Sequence, residues 1–316
     1  MIERTIDTQT AALMRALSDA KQTAAPATIR AYETALRALD SWLEGGPLTD
    51  ETLAGYLRHR RDTEKVSYGT LEVIRAAVRF SAKLAGVGSP DGPETALVLK
   101  NARRVSAGRG RGEVAGVRWE QADAAAAAAV AGNEGGTTAG TRDAALLAVM
   151  SDAMLRVSEA SALEWQDVTR EADGSGRLTV RRQNTDKEGE GEKLYLGPAT
   201  MKRLDAWQEA AGIGTGPLFQ RFDKAGKPRG SLSERSIRSI IIARRVADAG
   251  IEGRVSGHSL RIGSAQSLVR AGASMAELKQ AGRWQSDRTP ARYTRAERAR
   301  SGAVARLRYG DEEAET

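Results

Sequence analysis

Between Thr28 and Leu43 the apolar residues Ile29, Tyr32, Leu36, Leu39, Trp42 and Leu43 recur at the spacing of a helix with one buried face, and Gly45-Gly46 supplies a stop. A second helix is predicted from near Thr49, with Leu53, Tyr56 and Leu57 inward and His59, Arg60 and Arg61 at its basic end. A third follows Ser67, where Leu71, Ile74, Val78 and Ala85 form one stripe and Arg75, Arg79 and Lys83 lie beside it at i, i+4 spacing. The first hundred or so residues therefore read as a small helical bundle.

From Arg103 to Arg118 no hydrophobic period survives, and Gly108-Arg109-Gly110-Arg111-Gly112 has the composition of a flexible basic linker. No strand precedes this glycine run and no P-loop lysine follows it, so it is not read as a phosphate-binding loop. Helical periodicity resumes through Leu146, Val149, Met150 and Met154. It then gives way to two short β-prone segments, Arg177 to Val180 and Lys193 to Leu196, around the turn Gly189-Glu190-Gly191. Helices return at Ser233 to Ala249, His258 to Val269 and Ser274 to Ala281, the last with a Ser274/Glu277 capping box and Gly282 as its stop. The expected fold is mainly α: an N-terminal helical bundle plus an α-rich domain bearing a small antiparallel β-sheet. The expected domains are a helical clamp at 1–104, a basic linker at 105–117, a second domain at 118–298 and a tail at 299–316.

A chain of 316 residues can build two cores. Its 48 Lys and Arg against 41 Asp and Glu leave a formal charge of +7, which points to a polyanionic partner. With no cysteine, disulfides and thiolate metal sites are excluded, and His59 and His258 alone do not make a histidine-rich metal site. The start Met1-Ile2-Glu3-Arg4-Thr5 lacks an apolar stretch, and the alanine-rich run from Ala122 to Ala131 is too short to span a bilayer. A cytoplasmic protein that enters no membrane fits best.

Polar chemistry concentrates near the end of the chain. Gly257-His258-Ser259-Leu260-Arg261 is followed by Gly282-Arg283-Trp284 and then Tyr293. Cleaving a phosphodiester without a metal builds negative charge on the non-bridging oxygens, and arginine meets it with two hydrogen bonds at fixed geometry. A nucleophile and a proton donor for the leaving alkoxide are also required. His258 and Arg261 stand three apart at a helix start, on one face near the positive end of its dipole. Tyr293 follows Thr289-Pro290, read as a cap and first-turn pair of a short helix. Upstream, Arg156 falls between a buried helix and one beginning near Ser158, with Glu159 one turn along.

Singly, each of these residues has an ordinary structural use; their joint order is specific. That order resembles the tyrosine recombinases, also called the phage integrase family, of the Cre recombinase type. The matching stretches are Leu155-Arg156-Val157-Ser158-Glu159, Ser256-Gly257-His258-Ser259-Leu260-Arg261-Ile262-Gly263, Gln280-Ala281-Gly282-Arg283-Trp284 and Tyr293-Thr294-Arg295, with Ser301 to Leu307 in the tail. The second domain carries the resemblance; for the first it rests on helix pattern and length.

The resemblance implies that Tyr293 forms a 3′-phosphotyrosyl link to DNA while Arg156 and Arg261 hold the scissile phosphate. His258 would assist proton transfer, Trp284 would pack against or hydrogen-bond the phosphate, and Glu159 would help order the site. One departure stands out: where the family carries a hairpin lysine that protonates the leaving 5′-oxygen, Gln183-Asn184-Thr185-Asp186-Lys187 places Asn184. Lys187 is the replacement assigned here, with Lys193 the weaker substitute. Tyr309 is a rival nucleophile, in a tail beyond the basic helix. Because the protein–DNA ester conserves bond energy, neither ATP nor any other cofactor is expected, and no metal.

The partner implied is double-stranded DNA with inverted-repeat half-sites, held by a homo-oligomer that is a tetramer when synapsed, its tail docked on the neighbouring subunit. The candidate DNA contacts are Tyr68, Arg75, Arg79 and Lys83 on the first domain and Arg235, Arg238 and Arg244, with Arg245 beside them, on the second. Three alternatives stay open: a DNA-binding protein on this scaffold without catalysis, a relaxing topoisomerase using the same phenol, and a metal-dependent nuclease.

Overall fold

The computed structural model describes residues 9–19, 23–106, 114–131, 138–181, 191–223, 227–300 and 302, with backbone alone at 241–243. Two compact units divide the chain, 1–112 and 113–316.

The first unit contains α1 (Gln9–Asp19), α2 (Pro26–Leu43), α3 (Asp50–Asp62), α4 (Tyr68–Leu84) and α5 (Pro93–Ser106). The apolar stripes of α2, α3 and α4 converge as Ile29, Leu36, Leu39, Leu53, Tyr56, Leu57, Leu71, Ile74 and Val78. Leu13 and Leu17 from α1 and Val98, Leu99 and Ala102 from α5 close this core. Each fully buried leucine contributes about 1.5–3 kcal/mol. Thr49 and Thr52 exchange side-chain and backbone hydrogen bonds at the start of α3. Next to them, Asp50 accepts from the N–H groups of Gly92, Glu94 and Thr95, which ties α3 to the first turn of α5. Burial would push that carboxyl up, but Thr95, Glu94 and Gly92 overcome it and hold its pKa down at about 2.

The second unit begins with α6 (Trp119–Ala131), α7 (Thr138–Asp152) and α8 (Val157–Ala162). Strands β1 (Val168–Arg170), β2 (Gly176–Val180) and β3 (Glu192–Leu196) follow, forming one antiparallel sheet in that order with Thr179 opposite Lys193. Then come α9 (Pro198–Ala211), the ribbon of β4 (Gln220–Phe222) and β5 (Pro228–Ser231), α10 (Glu234–Ser239), a π-helical segment Ile240–Arg245 and α11 (Val246–Asp248). The chain continues through α12 (Ser259–Arg270), α13 (Met275–Gly282), α14 (Arg288–Tyr293) and α15 (Arg295–Arg300). Almost every residue of α7 from Gly140 to Ser151 is buried, because α6, α9 and α12 all pack on it.

Several expectations need correction. The stretch expected as a flexible linker has both described ends built into the units. Arg103 to Ser106 complete α5, while Ala115 and Val117 donate to the Arg254 and Ser259 carbonyls at 2.9 and 2.8 Å beside α12. Ser233 to Ala249 is not one α-helix, since its middle widens into the π-helical segment. Gly282 does not stop α13: it lies inside the helix, and Arg283 takes the left-handed cap at φ 53°. Asp287, rather than Thr289, stands at the N-cap of α14.

Candidate active site

The site is assembled from helix ends and helix starts. Two residues past the end of α7, Met154 lies in the left-handed region at φ 47°, and Leu155 N–H returns to the Met150 carbonyl at 3.2 Å. The Met154 carbonyl is thereby turned toward the site, where it accepts from both Arg261 and Arg283. Arg156 caps α8, its backbone N–H donating to Glu159 Oε2 at 2.8 Å and its Nη1 to Glu159 Oε1 at 2.7 Å. Gly257, just before His258, is packed so closely that a Cβ there would lie 2.5 Å from Val157 Cγ2 and 3.3 Å from Arg238 Cγ. Gly282 makes room in the same way, since its Cβ would meet the Trp284 ring at 2.1 Å.

Arg261, in the first turn of α12, is 2% exposed. Its Nη1 donates to the Met154 carbonyl and its Nη2 to the Gly282 carbonyl, so these hydrogen bonds go to backbone dipoles rather than carboxylates. Its Cζ stacks 4.8 Å above the Trp284 ring, and that indole meets the Tyr293 ring edge-on with centroids 6.0 Å apart. Desolvation, then the charges of Arg156 and Arg283, pull the Arg261 pKa down to about 10 against the opposing pull of Glu159 and Tyr293. The group remains a cation at neutral pH, in a place where an anion would lower its energy.

His258 is the N-cap residue of α12 and is exposed. Desolvation of its imidazole, followed by the charges of Arg261, Arg156 and Arg238, lowers its pKa below 6.5, so the neutral form prevails at pH 7. Tyr293 closes α14, half-buried, with the Arg292 guanidinium 5.2 Å from its ring centroid and its carbonyl accepting from Gln266 at 3.3 Å. Arg156, Glu159, His258, Arg261, Trp284 and Tyr293 are thus linked by contact or by mutual charge. Lys187 and Asn184 lie outside the described residues, as does Tyr309. Glu192 on β3 comes within 3.6 Å of Arg283, and Lys193, next along the strand and opposite Thr179, is exposed. Among the described residues no cluster of three or more histidines and carboxylates is arranged to hold a metal.

The candidate DNA contacts fare unevenly. On α4, Tyr68 and Arg75 share Glu72 at 2.6 and 2.7 Å and Arg79 pairs with Asp91, so DNA would have to exchange these partners; Lys83 is exposed. Arg235, Arg238 and Arg244 are exposed, with Arg238 paired to Glu234. Arg245 is instead buried, its Nε donating to Asp143 Oδ2 at 2.9 Å. Arg283 was assigned no role from sequence, yet its Nη2 donates to Glu159 Oε2 at 2.6 Å inside the site. Only its position beside Trp284 pointed to it.

A model of the phage integrase family matches residues 119–300. The Cre recombinase of Escherichia phage P1 is 28% identical over 180 residues, covering 52% of this chain and 52% of the relative. The chain thus spans about half the length of the curated relative it matches. Among solved structures, XerH site-specific recombinase bound to palindromic difH substrate in a post-cleavage complex aligns with a TM-score of 0.68 at 17% identity, over 95% of this chain and 85% of that one. The Tn1549 transposon integrase in complex with transposon right end DNA aligns with a TM-score of 0.60 at 13% identity, over 92% and 99%. At these identities the structural likeness is one of fold.

Proposed function

The chain belongs to the phage integrase family, and from that premise we propose that it is a site-specific DNA recombinase that cuts and rejoins strands through a 3′-phosphotyrosyl intermediate. The observation that carries this reading is the run Arg261–Trp284–Tyr293. A buried guanidinium hydrogen-bonded to carbonyls lies on one face of an indole whose other neighbour is a phenol near the chain end.

In the proposed step, Tyr293 Oη attacks phosphorus and the deoxyribose 5′-oxygen leaves. Arg156 and Arg261 hold the non-bridging oxygens, and neutral His258 receives the phenol proton. Lys187 supplies a proton to the 5′-oxygen, and rejoining reverses these transfers without ATP or metal. The bound partner is double-stranded DNA with inverted-repeat half-sites. The chain acts in the cytoplasm as a tetramer when synapsed, with residues 299–316 docked on the neighbouring subunit. The helical unit at 1–104 and the unit at 118–298 close on the duplex through Tyr68, Arg75, Arg79 and Lys83 and through Arg235, Arg238 and Arg244. Most of the tail lies outside the described residues.

The test is a nicked suicide duplex carrying the half-site. Wild type should trap a covalent adduct that Tyr293→Phe cannot form. Lys187→Ala should cleave a normal 5′-oxygen substrate poorly but a 5′-bridging phosphorothiolate, whose leaving group needs no proton, at close to the wild-type rate. A protein that footprints its site yet traps no adduct would be a DNA-binding member of the family, the reading that Asn184 at the lysine place favours.

A further inference from the structure

Arg283 occupies a place that resists it twice. Its φ of 53° lies where glycine is favoured, and its side chain is only 3% exposed. Such a residue persists where its surroundings over-determine it, and here they do. Nη2 donates to Glu159 Oε2 at 2.6 Å, Nη1 to the Ala153 carbonyl and Nη2 to the Met154 carbonyl at 3.3 Å each, and Nε lies 3.6 Å from Glu192.

Glu159 has a second claimant in Arg156, whose Nη1 takes Oε1 at 2.7 Å. An arginine and a carboxylate pair most strongly side-on, through both oxygens. Oε2 is taken by Arg283 together with the Arg156 backbone N–H, so the Arg156 guanidinium engages the carboxylate by one oxygen only and its side chain stays 45% exposed. The Met154 carbonyl is likewise divided between Arg283 and Arg261.

We infer that Arg283 is a positioning residue for strand cleavage: by sharing Glu159 Oε2 with the Arg156 backbone N–H it keeps that carboxylate from closing through both oxygens on the Arg156 guanidinium, and through the Met154 carbonyl it fixes Arg261. Both phosphate-holding guanidiniums then face the substrate with donors to spare. The inference rests on the recombinase reading above.

The experiment compares single-turnover adduct formation on the nicked suicide duplex by the full chain and its variants. Arg283→Gly suits the left-handed backbone and should slow cleavage on the order of 100-fold, as misplacement of catalytic groups does. Affinity for a single half-site should stay within about twofold, since the loss falls on the chemical step. Arg283→Lys keeps the charge without the fork and should recover about tenfold of that loss.

The decisive variant is Arg283→Gly with Glu159→Gln. Removing the carboxylate's charge releases Arg156, and the double variant should cleave about tenfold faster than Arg283→Gly alone. A merely structural Arg283 gives no such rescue, and a double variant no faster than the single overturns the inference. If Arg283→Gly does not fold, Arg283→Lys serves the same comparison, because Glu159→Gln should speed it too. No adduct from wild type would sink the recombinase reading and this inference with it. A wild-type adduct that Arg283→Gly forms equally fast sinks the inference alone.

Discussion

The second unit buries guanidinium groups in two places and satisfies them differently. Asp143, almost fully buried, sits between two arginines. Arg142 donates Nε and Nη2 to its Oδ1 at 3.0 and 2.8 Å, and Arg245 donates Nε to its Oδ2 at 2.9 Å. Arg142 also reaches the Gln220 carbonyl at 3.1 Å, so this cluster fastens α7, β4 and the end of the π-helical segment together. Arg261 is buried as deeply but donates to the Met154 and Gly282 carbonyls and lies on Trp284. A buried cation without a carboxylate carries a desolvation cost that a partner charge would offset. The Asp143 cluster has that partner within the chain, whereas the hydrogen bonds of Arg261 go to carbonyl dipoles that carry no compensating charge. Burial of arginine by itself therefore says little about function; what separates the two places is the identity of the acceptor.

Three measurements would break or sharpen this contrast. The largest effect is expected from Arg261→Met, which should cut adduct formation by about 10³-fold or more while leaving the melting temperature unchanged or raised. A clear fall in melting temperature would mean that Arg261, like Arg142, is chiefly structural. Asp143→Ala should do the opposite: stranding two buried cations costs about 3–5 kcal/mol in denaturant unfolding, with cleavage per folded molecule largely kept.

The smallest effect concerns His258. Its folded pKa lies below the ordinary 6.5, so the unfolded chain binds more protons in that window. This contribution to stability is complete above 6.5 and is lost as pH falls through the lowered folded value. A half-site duplex placing a phosphate among Arg261, Arg156 and Arg238 should move the His258 pKa back up. Proton NMR in a His59→Gln background reads this directly, because a single imidazole remains. An unmoved His258 would place the bound phosphate elsewhere.

Much of this architecture was legible as pattern. The stripes Ile29–Leu39 and Leu71–Val78, the Thr49 start, the Ser274/Glu277 capping box and the β2–β3 pairing all follow from local periodicity and hydrogen-bonding capacity. α1 and α5 did not stand out, because each contributes only a few apolar positions to a core completed by its neighbours. Arg156, His258, Arg261, Trp284 and Tyr293 could be nominated by their order. Which acceptors they meet could not, since those acceptors are the Met154 and Gly282 carbonyls, and no side-chain code names a carbonyl. The same gap hid Arg245, noted beside the candidate DNA contacts and found against Asp143, and Arg283, whose αL cap was expected of Gly282. In that last case the glycine was needed for a different reason, which is the space taken by the indole.

The family match begins at Trp119, but the cooperative piece begins earlier. A Cβ at Gly263 would sit 1.8 Å from the Val117 carbonyl oxygen, and Trp119 N–H donates to Ser267 Oγ at 3.2 Å, so residues 115–119 run as a seam along α12. A chimera that exchanges the first unit by splicing at 119 would strip this seam from the helix bearing Arg261. A foreign N-terminal unit grafted onto the unit bearing Arg261 should be joined upstream of Val114, with the seam kept on α12.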